Sequence, residues 1–211
     1  NIKIAGLNFG ISEKKSMERA TKLMNFLRFE ENLNKKPGHL SGGQRVRLNI
    51  VLSLLHDPKI IILDEPFVGL DFFNRKLLWH FIESLKKRKK SVVLTSHLLR
   101  ELQENVDRLI LLKNGKVFFR GNFEKLKQKL NMEYVLETKL PRISKSKKEK
   151  LENYCSYKKI NILDRYGSYF MFALKDEKQK QLLYQLFKRL NLESQDIGFR
   201  EPNLDEIFLN T

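Results

Sequence analysis

The chain has 211 residues, of which 41 are Lys or Arg and 25 are Asp or Glu, for a formal net charge of +16. At 41% hydrophobic it is too apolar for a disordered chain, and its length suits one ordinary domain plus a smaller one. No apolar run approaches the roughly 18–20 residues that a membrane-spanning helix needs. The single cysteine, Cys155, excludes an internal disulfide and fits a reducing compartment. The charge calls for an acidic partner: nucleic acid, an anionic membrane surface or polyphosphate.

In chain order, residues 1–39 read as mostly helical. Met17, Ala20, Leu23, Met24 and Leu27 recur at helical spacing over Glu13–Phe29, with Ser12 as the N-cap, and Lys36-Pro37-Gly38 ends the region. Gln44–His56 is a long apolar-rich segment stopped by Asp57-Pro58. Lys59–Leu63 is a β-branched run predicted to be a strand buried on both faces. A helix is predicted over Phe72–Lys86 and a strand over Ser91–Thr95. Leu109–Leu112 and Val117–Arg120 flank Asn114-Gly115, which supplies the two positive-φ residues of a type I′ hairpin turn. Short apolar strands alternating with helices predict an α/β fold with a mainly parallel sheet. Beyond residue 125 the pattern changes. Strand Tyr134–Leu140, helix Lys145–Tyr154, strands Ile160–Asp164 and Tyr169–Leu174, helix Glu177–Leu190 and a final strand or short helix give the order of a split βαβ sandwich. The expected division is therefore 1–125 and a small α+β domain over 126–211.

Four segments carry chemistry. Leu40-Ser41-Gly42-Gly43-Gln44 directly precedes the apolar helix. Ser41 can cap that helix, and Gly42 and Gly43 leave backbone N–H groups open at its positive end, which suits a phosphate oxygen. An ordinary Ser-Gly-Gly turn is the competing reading. Asp64 and Glu65 follow the strand Ile60–Leu63, at the end where ligands bind in open α/β sheets. One carboxylate there can hold Mg2+ through water and the other can polarise an attacking water, although a solvated acidic turn would look the same. Gly69-Leu70-Asp71 reads alone as a turn with Asp71 capping the next helix. His97 follows a strand, where an imidazole is more often structural, but near a phosphate it could position water.

In order and spacing these segments resemble the ATP-binding cassette (ABC) ATPases. Leu40–Gln44 is similar to the LSGGQ signature, Ile60–Glu65 to the Walker B strand, Gly69-Leu70-Asp71 to the D-loop and His97 to the switch histidine. The resemblance spans residues 1–125. It implies a partial P-loop NTPase domain with part of the helical subdomain, and ATP and Mg2+ as cofactors. It implies a signature that contacts the γ-phosphate of ATP on a partner subunit through Ser41, Gly42 and Gly43. Asp64 would hold Mg2+ via water, Glu65 would act as general base, His97 would contact the γ-phosphate, and Asp71 would couple the two sites.

The chain contains no Gly-rich loop ending in Lys-[Ser/Thr], since its one Gly-Lys pair, Gly115-Lys116, precedes Val117. No Gln precedes Gln44. The Walker A loop and Q-loop are thus missing as a block. Because the first residue is Asn rather than Met, the chain is expected to be the C-terminal part of a longer subunit and to be inactive alone. Glu201-Pro202-Asn203-Leu204-Asp205-Glu206-Ile207-Phe208-Leu209 resembles the ending of ATPase subunits from the ABC-2 exporter group. The implied protein is the nucleotide-binding subunit of a transporter of the exporter kind, cytoplasmic and peripheral at the inner face of the cell membrane. Its partners would be a second ABC ATPase subunit, in a homo- or heterodimer, and polytopic membrane permease subunits. Lys86–Lys90 reads as the solvated end of a helix, so nucleic acid is an unlikely partner. A soluble ABC ATPase acting on ribosome or nucleic acid, or a non-catalytic regulatory fragment, are the competing readings.

Overall fold

Local capping chemistry sets most helix starts in this computed structural model, which describes residues 1–30 and 35–209. Ser12, Ser41, Asp71, Asn122, Ser144 and Asp176 each accept a hydrogen bond from a backbone N–H three residues on, as N-caps do. The chain forms two compact units, 1–97 and 98–211.

The first unit contains α1 (Ile2–Asn8), α2 (Glu13–Phe26), a 3-10 turn at Pro37–His39, α3 (Gly42–Leu54), β1 (Ile60–Leu63), α4 (Phe72–Lys87) and β2 (Ser91–Leu94). β1 pairs in parallel with β2, Ile60 opposite Ser91 through Leu63 opposite Leu94, with α4 as the crossover. Ala20, Met24 and Leu27 are buried, as are Ile50, Val51, Leu54, Ile61, Leu63, Leu78, Phe81 and Leu85. Gly6 is required where α1 crosses α2, because a Cβ there would lie 1.9 Å from the Ser16 hydroxyl oxygen. β1 differs from its expected burial. Ile61 and Leu63 are buried, but Ile60 is 65% exposed and Ile62 76%. Its sheet has two strands, and among the described residues only one face of β1 is covered. Among the described residues parallel pairing is confined to this pair.

The second unit contains α5 (Leu99–Asn105), the antiparallel hairpin of β3 (Leu109–Lys113) and β4 (Lys116–Gly121), and α6 (Phe123–Leu130). It continues with β5 (Tyr134–Lys139), α7 (Lys145–Tyr157), β6 (Asn161–Tyr166), β7 (Tyr169–Leu174), α8 (Glu177–Arg189), β8 (Gln195–Arg200) and α9 (Leu204–Leu209). Asn114 and Gly115 both have positive φ, as a type I′ turn requires. The four-stranded antiparallel sheet runs β6-β7-β5-β8, so βαββαβ elements form the split βαβ topology. One core cluster joins Leu136, Leu151, Cys155, Phe172, Leu183 and Phe187. A second joins Leu109, Leu111 and Phe119 of the hairpin to Leu126, Met132, Val135, Leu204 and Ile207. That shared cluster is the physical reason the packing units divide at 97/98, upstream of residue 125 where the pattern of elements changes.

Candidate functional site

The signature segment forms the N-terminus of α3. Ser41 accepts from the Gln44 N–H at 3.3 Å, and the Gln44 side chain accepts from the Ser41 N–H at 2.9 Å. This capping box occupies one lone pair of the Ser41 hydroxyl and leaves its O–H able to donate. Gly42 and Gly43 stand in the first turn, where N–H groups have no intrahelical partner. A Cβ on Gly42 would meet nothing within 4 Å, so the backbone is open to a ligand. A Cβ on Gly43 would lie 3.1 Å from Leu70 Cδ2 and 3.5 Å from the Gly69 carbonyl oxygen. The signature therefore rests on the Gly69-Leu70-Asp71 loop. Gly69 turns that loop at φ +75°.

Asp71 caps α4 by accepting from the Asn74 N–H at 2.9 Å and the Asn74 amide at 2.6 Å. The Asn74 N–H chiefly, and then its side-chain amide, hold the Asp71 carboxyl below its usual range.

The carboxylates at the end of β1 meet the end of β2. The Thr95 hydroxyl donates to Asp64 Oδ1 and accepts from the Glu65 N–H at 3.0 Å. The Thr95 N–H donates to the Leu63 carbonyl at 3.0 Å, continuing the β1–β2 ladder by one bond. Glu65 sits at φ +44°, a conformation that side chains rarely adopt. That turn swings its carboxylate toward His97, whose Nδ1 lies 3.0 Å from Glu65 Oε2. Asp64, Glu65, Thr95 and His97 thus form one cluster, partly exposed to solvent. Its chemistry is that of a base held by an imidazole beside a second carboxylate able to take a hard cation. Among the described residues no group of three or more His, Cys, Asp or Glu could enclose a metal ion. A single exposed carboxylate matches the way Mg2+ is held, through one or two carboxylates, several waters and substrate phosphates.

Two residues of this region were missed in the sequence. Thr95 carried the signal of a hydroxyl at the strand end two residues before His97. Arg47 is buried at 8% exposure and lies on the same face of α3 as Ile50, Val51 and Leu54, at i, i+3, i+4 and i+7. A lone cation in an apolar helical stripe was its signal. Its guanidinium donates to the carbonyls of Gly43 (3.3 Å), Leu27 (2.9 Å) and Arg28 (3.4 Å) and lies 5.5 Å from the Phe29 ring centroid. It ties the signature helix to the end of α2. Burial lowers its pKa, and the nearby Asp71 charge partly offsets that effect.

The ABC transporter family profile matches residues 4–68, which include the signature and both carboxylates. A Nod factor export ATP-binding protein I of Rhizobium sp. (strain N33) is 35% identical over 122 residues, covering 58% of this chain and 40% of that protein. ABC transporter ATP-binding protein NatA of Bacillus subtilis (strain 168) is 30% identical over 145 residues, covering 67% of this chain and 59% of that protein. The structure of an ATP-binding subunit of an ABC transporter superposes with a TM-score of 0.56 at 28% identity, covering 61% of this chain and 53% of that one. A nucleotide-free ATP-binding cassette from an ABC transporter superposes with a TM-score of 0.50 at 26% identity, covering 56% of this chain and 46% of that one. The chain carries part of an ABC ATPase domain of the P-loop NTPase fold. Its relatives are ATP-binding proteins of ABC transporters, export-related ones among them, and it spans about 40 to 59% of the length of those named here. Among the described residues no helix is long and apolar enough to cross a membrane.

Proposed function

We propose that this chain forms the signature and Walker B portion of a transporter nucleotide-binding subunit that couples ATP hydrolysis to export through separate membrane subunits. The observation that carries the reading is the cluster at the end of β1. Glu65 is turned out at positive φ, its N–H is held by Thr95, and its carboxylate is within hydrogen-bond distance of His97.

In this reading Glu65 takes a proton from the water that attacks the γ-phosphorus, as the bond to the bridging oxygen of ADP breaks. His97 orients Glu65 and then the γ-phosphate. Asp64 would hold Mg2+ through water, and the ion would supply neutralisation of the phosphate charge. Ser41, Gly42 and Gly43 present one O–H and two N–H donors to the γ-phosphate of a nucleotide held on a second subunit. Asp71, packed through its loop against Gly43, links the two sites. The phosphate loop that cradles the nucleotide is not encoded within these 211 residues, so the chain does not hydrolyse ATP by itself. The name of the Nod factor export relative supports the export assignment, and that of the ABC transporter ATP-binding protein NatA supports transport. The working location is the cytoplasmic side of the cell membrane, against polytopic permease subunits.

The test is Mg-dependent ATP hydrolysis by the 211-residue chain and by the complete product of its gene, with and without Glu65→Gln. The complete product is expected to hydrolyse ATP, Glu65→Gln to lower kcat by at least a hundredfold, and the 211-residue chain to be silent. Hydrolysis by the 211 residues alone, or an unchanged rate in Glu65→Gln, would refute the assignment. Co-purification of the complete product with RNA instead of a polytopic membrane protein would move it to the soluble class.

A further inference from the structure

The second unit pairs several of its cations with carboxylates. Lys127 pairs with Glu124 and Glu201, Arg165 with Glu152, and Arg200 with Glu137 and Glu206. One concave region departs from that habit. The end of α6, the end of α7, the start of β6 and the β7–α8 connection enclose a cleft of about 490 Å3, lined by Asn131, Lys158, Lys159, Asn161, Lys175 and Gln179 among others. Its lining holds three cations and three side-chain amides and no carboxylate. Among the described residues none of the three lysines has an ion-pair partner.

The frame of the cleft is built. The Gln179 amide donates to the Lys158 carbonyl at 3.2 Å, and its oxygen accepts from the Lys175 N–H at 2.7 Å. One side chain thus pins the backbones of two lysines on separate elements. Lys159 follows at φ +54°, which turns the chain out of α7. The adjacent acid, Asp176, is committed to the Gln179 N–H at 2.9 Å as the cap of α8. The Lys158 ammonium lies 4.8 Å from the Tyr157 ring centroid.

Like charges gathered in a concavity with no counter-charge raise the local concentration of anions. Lysine ammonium groups bind phosphate as point charges, amides add donors, and the volume is in the range of small-ligand sites. We infer that this cleft binds a small phosphate-bearing molecule, as an effector site of the C-terminal unit. The inference is independent of the ATPase reading, whose residues all lie within 1–97.

The experiment titrates the 211-residue chain with inorganic pyrophosphate, ATP and citrate by calorimetry, and tests co-sedimentation with vesicles containing phosphatidic acid. Pyrophosphate is expected to bind once per chain with a Kd below about 1 mM, and Lys159→Gln/Lys175→Gln to weaken it at least tenfold with an unchanged melting temperature. Lys145→Gln/Lys148→Gln, which removes the same charge from the other end of α7, should stay within twofold. The inference is overturned by absence of saturable binding, by equal loss in both lysine pairs, or by binding to vesicles without binding to soluble phosphate.

Discussion

Arg47→Met tests whether the signature helix is held by a buried guanidinium. The side chain makes three contacts to carbonyls of Gly43, Leu27 and Arg28, at 3.3, 2.9 and 3.4 Å. Leu27 is the C-cap of α2, so two of these acceptors lie at a helix end that lacks intrahelical partners. A hydrogen bond from a charged donor contributes about 1.5–3 kcal/mol, and a buried acceptor left unpaired costs about 1–3 kcal/mol. The two longer contacts count for less, and Met recovers some apolar packing. The net loss works out at about 3 kcal/mol. Trp79, the one tryptophan of the chain, stacks on Phe67 with centroids 4.5 Å apart in the first unit, so its fluorescence reports that unit. With a urea slope of about 2 kcal/mol per molar, the Trp79-monitored midpoint should fall by about 1.5 M. Arg47→Lys, which keeps the charge but loses the planar fork, should fall between wild type and Arg47→Met. A shift below about 0.3 M in Arg47→Met would refute the reasoning, because the guanidinium would then carry no net tie.

Thr95→Val removes the hydroxyl between Asp64 and the Glu65 N–H; in the exposed site this loss is about 1.4 kcal/mol, so kcat of the complete gene product should fall about tenfold while Thr95→Ser retains it. Glu206, 5% exposed, accepts from Arg200 at 2.6 Å and from the Asn203 N–H at 2.8 Å. Glu206→Ala should therefore cost the second unit about 2–3 kcal/mol in thermal unfolding, more than the surface substitution Glu149→Ala. Burial first, and Glu152 second, push the Cys155 thiol up to about 12 from its usual 9.0. The folded chain should resist iodoacetamide at pH 8, with alkylation appearing only in denaturant. Since the folded pKa is raised, the stability this group adds is present below pH 9 and lost as pH rises from 9 toward 12. Cys155→Ala should flatten that alkaline loss.

Some features were decided within a few residues of sequence. Ser12, Ser41 and Asp71 cap their helices because a short oxygen-bearing side chain needs only the N–H three residues on. Asn114-Gly115 turns the hairpin because both residues tolerate positive φ. The motif residues Ser41, Asp64, Glu65, Asp71 and His97 were legible for the same reason: their types and spacing along the chain carry the chemistry. Short helices were not legible. α1, α5 and α6 have seven or eight residues, too few to display a period, and α5 leans on α9, with the Gln103 side chain accepting from the Leu204 N–H at 3.0 Å.

Tertiary structure alone decided what depends on residues far apart in the chain. Thr95 reaches the Glu65 N–H and the Asp64 carboxylate across 30 and 31 positions because parallel pairing aligns the ends of β1 and β2. Arg47 finds its carbonyls 19 and 20 positions away, which turns a cation on an apolar stripe into a tie rather than a defect. The run Ile60–Leu63 specifies a strand, but burial of Ile60 and Ile62 depends on what covers the sheet, and no local pattern encodes that. The hairpin at 109–121 likewise looks continuous with the residues before it, yet it packs with the residues after it, because Leu111 and Phe119 share a core with Met132 and Ile207. Sequence determined the elements and the chemistry they carry; long-range packing determined which of them meet, because contact free energy follows distance in space rather than distance along the chain.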